Sequence, residues 1–224
     1  MAFCAGLAAT LATTVRAQVP PSASERAAYR GLFAAADKGD VPAITKLAAA
    51  GADVKARDAH GRTPLHVAAF AGQRDAMRAL VQAGADPNAL ENDRYDIVTI
   101  AAVANDVETL KAALAVGGKA TNVTSRYDGT ALIAASHLGH VEVVQVLIAA
   151  RAPLDHVNNL GWTALIESIV LGDGGPRHLA TLQALVDAGA NVNLPDRNGM
   201  TPVHLAEGNG YRAMAEALRA AGGR

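Results

Sequence analysis

The sequence carries a single cysteine, Cys4, which excludes a disulfide framework within the chain and any cysteine-rich zinc site. Aromatic residues are also scarce: they make up 4% of the 224 residues, although 50% of the chain is hydrophobic. The apolar content is therefore mostly alanine, leucine and valine, which suits closely packed helices. Neither sign of charge is in excess. A net charge of −1, with lysine and arginine scattered, excludes a global basic field for nucleic acid. No window approaches the roughly 18 consecutive apolar residues of a membrane helix, so no membrane insertion is expected. No Ser/His/Asp order and no paired-carboxylate motif stands out, so neither a catalytic set nor a cofactor is expected. His137 and His140 are spaced to share a helix face, but Gly139 lies between them and no third ligand is obvious. They are expected to straddle a turn, and no metal is expected.

The N-terminus reads as an export signal over residues 1–17. Ala5 to Val15 is a short run of mostly small apolar residues, and Val15-Arg16-Ala17 places small residues at a cleavage site before Gln18. The start, "MAFC", has no lysine or arginine, so either the signal is atypical or the true start lies upstream. The competing reading is a disordered, alanine-rich N-terminus. Cleavage after Ala17 leaves a mature chain without cysteine, periplasmic or secreted; without the signal the protein is cytoplasmic. Residues 18–24, with "VPPSAS", read as a linker.

What the chain does have is a metre. Gly51, Gly84 and Gly117 are 33 residues apart, and Arg151, Gly189 and Gly222 continue the series at steps of 34, 38 and 33. A second set, Gly39, Gly72, Asn105, Gly139, Gly172 and Gly210, keeps the same beat. In "GRTPLHVAAFAG", Thr63 can cap a helix, Pro64 suits its first position, and Leu65, Ala68 and Ala69 form its apolar face. A second helix through Met77, Leu80 and Val81 stops at Gly84, a natural left-handed cap.

These residues resemble the ankyrin repeat. "GRTPLHVAA" with "AGADPNA" is close to that family's signature, and "GWTALIESI" with "AGANVN" is a second match. The combination of "GWTAL" with "LGDGGPRH" also resembles a subgroup of exported bacterial ankyrin proteins. The resemblance implies an all-α solenoid of six helix pairs with projecting hairpin loops. The expected units are 25–57 (the N-terminal cap), 58–90, 91–124, 125–157, 158–195 and 196–224 (the C-terminal cap). The third is degenerate, with Asp96-Ile97-Val98-Thr99 in place of Thr-Pro-Leu-His. For His66 and His204 the resemblance implies a structural role, bonding neighbouring loop backbone.

The interval from Gly39 to Gly51 is 12 residues, and that from Gly172 to Gly189 is 17. About five residues are thus inserted in the fifth unit, near 173–178. A phosphate-cradling loop would follow a strand and end Gly-Lys-Ser/Thr; this one follows a helix and ends Pro-Arg-His. It reads instead as a structural plug. Glu167 occupies the register of Val67, Ile100 and Leu205, a position that is normally buried, where a carboxylate needs a partner. Gly174 and Gly175 let the chain double back, and Arg177 or His178 is expected to meet Glu167. A backbone N–H of the glycine turn is the alternative partner.

Binding is the function that remains. The resemblance implies a concave face made of hairpin tips and first helices. Its variable positions here include His60, Arg62, Phe70, Asn92, Asp93, Tyr95, Val103, Arg126, Tyr127, His137, Leu138, Asn159, Trp162, Val170, Leu171, Arg197, Asn198 and Met200. Four of the scarce aromatics fall on or beside this surface, and aromatics and arginine dominate interface energetics. Tyr95 and Trp162 are expected to be partly exposed there; the competing reading is that they only cover junctions between hairpins. The expected function is non-enzymatic recognition of another protein by a monomer. The rivals are an inhibitor or chaperone of a periplasmic enzyme, and a small-ligand binder or enzyme built on the inserted loop.

Overall fold

The computed structural model describes residues 18–224; the expected signal peptide lies outside the described residues. Thirteen helices form among them. They are α1 (Ala23–Ala28), α2 (Gly31–Lys38), α3 (Val41–Ala49), α4 (Pro64–Phe70), α5 (Arg74–Gln82), α6 (Ile97–Val103), α7 (Val107–Ala115), α8 (Ala131–His137), α9 (Val141–Ala149), α10 (Ala164–Val170), α11 (Pro176–Asp187), α12 (Pro202–Gly208) and α13 (Arg212–Ala220). From α2 onward they make six pairs, each with a first and a second helix. First helices pack on first helices, as α8 does on α6 and α10, and second helices on second helices. The protein is an all-helical solenoid.

The local reasons lie in the caps. Thr63, Thr130 and Thr163 each accept the N–H of the third helical residue, satisfying a donor that the first turn leaves orphaned. In the degenerate third unit, Asp96 takes over this task by accepting from Thr99 N at 2.8 Å. His66 shows why the histidine of the signature matters. Its Nδ1 accepts from Thr63 N at 3.1 Å, while Nε2 faces the carbonyls of Ala89, at the end of its own unit, and Tyr95 in the next, at 3.0 and 3.2 Å. Burial pushes its pKa down to about 4, so the ring is neutral and can accept and donate at once. The first helices bury nearly all of their apolar side chains, including Leu65, Val98, Leu132 and Leu165, in a core that runs the length of the array.

Most left-handed positions in the metre are glycines, but Asn105 and Arg151 hold them with φ of 55° and 60°. The hairpins before α6 and α8 are also irregular. There Arg94 (φ 66°), Ser125 (φ 63°) and Asp128 (φ 51°) adopt left-handed backbone, which costs a non-glycine residue roughly 1–2 kcal/mol.

The N-terminal end departs from the linker expectation. Ser22 caps α1 in a reciprocal box with Glu25, and Pro21 is buried. Arg62, expected on the binding face, is instead only 1% exposed. Its Nε donates to Asp58 at 2.7 Å, one terminal nitrogen meets Glu25, and the other reaches the Val19 carbonyl at 3.3 Å. Tyr29 Oη donates to the same Asp58 at 2.9 Å. Hydrogen bonds from Ser22, with Arg62 beside it, hold the Glu25 carboxyl down at about 2. A buried guanidinium with two carboxylates thus docks residues 19–29 onto the first hairpin.

The insertion is also built differently from a free loop. Pro176, Arg177 and His178 are the first turn of α11, which has 12 residues where the other second helices have nine. The non-helical loop is confined to 171–175, where Asp173 alone is exposed. Arg177 and His178 do not meet Glu167, and the glycine turn does not donate to it. The His178 ring turns toward the fourth unit instead: Nε2 donates to the His137 carbonyl at 2.9 Å, and Nδ1 lies 2.7 Å from Asp173 Oδ1. The ring lies so close to Gly172 that a Cβ there would sit 2.9 Å from it. From the sixth unit, Tyr211 packs on Gly174 and donates to the Gly172 carbonyl at 3.0 Å. Gly175 N donates to Asp173 at 2.9 Å. The loop is stapled from both neighbours, and Gly172 and Gly174 are required by the close approach of those two rings.

The Arg62 cluster yields a test. Arg62→Ala leaves Asp58 without its buried partner and releases the N-terminal segment. The expected outcome is a loss of about 3 kcal/mol in urea unfolding. Trypsin cleavage at Arg26 and Arg30 should also rise. Unchanged stability and an unchanged digestion pattern would contradict this account of the N-terminal end.

Candidate functional site

A cavity of about 270 Å³ opens where the hairpins of the third to fifth units meet their first helices. Its walls come from hairpin residues (Tyr95, Thr124, Ser125, Tyr127, Gly129, Asn158, Leu160 and Trp162) and from α6, α8 and α10 with their flanks (Thr99, Thr130, Ile133, Ala134, His137, Glu167 and Leu171). It therefore lies on the concave side, and no second helix contributes to it.

The cavity exists because these units break their own pattern. Counting from each cap, Thr99 stands where the second unit has His66, and Thr99 Oγ1 pairs with Thr124 Oγ1 at 3.1 Å. Ala134 stands where that unit has the larger Val67, and Glu167 holds the same position in the fifth. Short side chains in the third and fourth units leave space that Glu167 faces.

Glu167 is 5% exposed, as expected from its register, but its partner is new. Asn158 Nδ2 donates to Oε1 at 2.7 Å. Oε2 lies 3.7 Å from His137 Nδ1, beyond hydrogen-bond reach, and no donor among the described residues contacts it. Burial raises the Glu167 pKa to about 7, against the lowering effect of the Asn158 bond, while burial and the neighbouring His178 lower that of His137. The two groups face each other as a pair pushed toward neutrality rather than as an ion pair.

The sequence missed Asn158, though a signal exists. Its counterparts Asp58 and Asp196 use a carboxylate oxygen to hold hairpin N–H groups. Asn158 Oδ1 does the same for Leu160 N and Trp162 N, each at 3.0 Å. The amide keeps that task and adds the donor that a buried acid requires.

The other expected surface residues divide into three groups. Tyr127, Trp162, His137 and Leu171 are partly exposed and share the cavity wall. Tyr95 joins them, but at 9% exposure it forms the floor; the expectation of a partly exposed Tyr95 is corrected, because its ring packs into the core cluster. A second group is tied up in zipping hairpins together. Asp93 pairs with Arg126 at 2.6 Å, Asn159 Nδ2 donates to the Arg126 carbonyl at 2.9 Å, and Arg197 donates to the Asn159 carbonyl. Asn92 Nδ2 reaches the Ala59 carbonyl at 3.4 Å, and exposed His60 faces Glu25 at 3.2 Å. In the third group, Phe70, Val103, Leu138 and Val170 are half-buried along the first helices, Asn198 is exposed, and Met200 is 40% exposed.

Glu167 has a pH signature. Between about pH 4.5 and 7 the folded state holds a proton that the unfolded chain has released, so stability falls as pH rises through that window. Glu167→Gln keeps the Asn158 bond and removes the titration. The variant is expected to match the wild type near pH 4.5 and to exceed it at pH 8 by about 3 kcal/mol in urea unfolding. A gap that does not change with pH would contradict the buried, proton-holding carboxyl.

Comparison with known proteins agrees with this architecture. The family model for ankyrin repeats (3 copies) matches residues 12–93 and 98–196, and that for ankyrin repeats (many copies) matches 176–219. The ankyrin repeat protein YahD of Escherichia coli (strain K12) is 39% identical over 102 residues, 45% of this chain and 51% of YahD. This chain thus spans about half the length of that curated relative. A crystal structure of an ankyrin repeat domain from Acinetobacter baumannii AYE is 40% identical, covering 86% of this chain and 98% of that one with a TM-score of 0.80. The ankyrin repeat domain of Bcl-3, of the IkappaB family, is 29% identical, covering 88% of this chain and 87% of that one with a TM-score of 0.78. Matched along most of its length by the repeat models, this chain belongs to the ankyrin repeat family.

Proposed function

We propose that this protein recognises a partner protein through the concave face of its third to fifth repeats, acting as a monomer after export. Ankyrin repeats generally mediate protein–protein binding and are typically non-enzymatic modules. The observation that carries the reading is the concentration of Tyr95, Tyr127 and Trp162, three of the chain's eight aromatics, around one concave opening. The strained residues Arg94, Ser125 and Asp128 sit in the same two hairpins. Backbone strain of this kind concentrates where a surface is held in shape for a ligand. Export rests on the run Ala5 to Val15 and the Val-Arg-Ala site, and mature protein recovered from cells is then expected to begin near Gln18. The inserted loop supports an enzyme reading less well, because its histidine, aspartate and glycine groups are spent on internal bonds.

The test is differential capture from a native extract. A protein retained by the wild type should bind the Tyr127→Ala/Trp162→Ala variant at least about tenfold more weakly. Arg78→Ala on α5, away from the cavity, should retain it. Equal capture by all three would remove the concave face from consideration.

A further inference from the structure

We propose that the concave cavity receives the side chain of a lysine presented by the partner, its ammonium seated against Glu167 Oε2 and its stem lying among Tyr95, Tyr127 and Trp162. The inference rests on the protein-binding reading and names the chemistry that the partner must offer.

Size comes first. About 270 Å³ falls just below the roughly 300–1,000 Å³ of ordinary small-molecule sites, so the space suits one long side chain. Its walls are mainly apolar and include three aromatic rings, which favour an aliphatic stem and attract a cation at their faces. Among the described residues no lysine or arginine lines the cavity, so none of their cations occupies that position.

The charge at the bottom selects the head group. One Glu167 oxygen is used by Asn158, and the other is left without a donor. An arginine fork needs two acceptors side by side to use its geometry, and here only one remains. A lysine ammonium is a point donor that one oxygen can serve. An unpaired acid this deep is costly, and an entering cation offsets that cost.

The groups facing Glu167 are few. Asn158 approaches from its hairpin and His137 from α8, with His178 beyond His137. Asp93, Glu91 and Arg126 lie around Tyr95, and Arg126 is already paired with Asp93. Burial holds the empty site protonated up to about pH 7, so an ammonium that needs the carboxylate displaces one proton. Affinity should therefore climb about tenfold per pH unit below 7 and level off above it.

Trp162 is the chain's single tryptophan and lines the cavity, so its fluorescence reports occupancy directly. The full chain would be titrated with Nα-acetyl-lysine methylamide and with its norleucine analogue, which has the stem but no ammonium. A saturable change is expected with the lysine compound. Affinity should be about tenfold lower for the norleucine analogue, and about tenfold lower for lysine in Glu167→Gln, whose fold is verified by circular dichroism. Equal affinity for the two compounds, no effect of Glu167→Gln, or no saturable response at tens of millimolar would each overturn the assignment. Those results would leave the protein-binding reading standing, since differential capture through Tyr127 and Trp162 is measured without reference to lysine.

Discussion

Carbonyls at or just past the C-terminal ends of four first helices, α2, α6, α8 and α10, are answered by side chains of the next repeat, and these bonds tie neighbouring repeats together. Gln73 donates to the Asp37 carbonyl at 3.4 Å, His140 to that of Ala102 at 3.1 Å, His178 to that of His137 at 2.9 Å, and Tyr211 to that of Gly172 at 3.0 Å. Each donor lies at or near the start of a second helix, so one bond fixes both the spacing of neighbouring repeats and the entry of the following helix. Helices of seven to nine residues are marginal alone and depend on such neighbours. The rule also explains how the fifth repeat tolerates its insertion. Extra residues displace the usual donor position, and His178, one turn into a longer α11, restores the bond.

Where the array departs from regular stacking, polar groups collect, and the two main departures do opposite things with charge. At the N-terminal end, Arg62 is buried with acids on both sides, and residues 19–29 close over it. In the middle, Glu167 is buried with an amide and a neutral imidazole, and one oxygen faces an open space. The first arrangement is complete within the chain and reads as a lock. The second is incomplete, and that incompleteness gives the concave face its chemistry.

Much of this was legible in the sequence because helix caps and left-handed turns are local. Thr63 and Pro64, and the glycine metre, set repeat boundaries without reference to the rest of the fold. Glu167 was placed as buried by counting within the repeat, which is equally local. Its partner was not found, because sequence proximity pointed to Arg177 and His178, whereas the side chain points back to a hairpin. The exchange of Asp58 and Asp196 for Asn158 carried that information, but only when hairpins are compared with one another as hydrogen-bond schemes. Arg62 and Tyr95 were misplaced for a shared reason. Both sit at positions that face outward in a generic repeat; here Arg62 is covered by the N-terminal segment, and the Tyr95 ring turns into the core between repeats.

A regular solenoid has approximate translational symmetry, so a ligand that reads only common features can dock one repeat too early or too late. This chain removes that ambiguity twice. The degenerate third repeat opens the cavity at one place, and the lengthened α11 beyond it changes the step from 33 residues to 38. A partner long enough to touch both features meets matching surfaces in one alignment alone. On the proposed protein-binding reading, the irregular repeats act as an index mark on an otherwise repeating scale, one that sets where along the array a partner would come to rest.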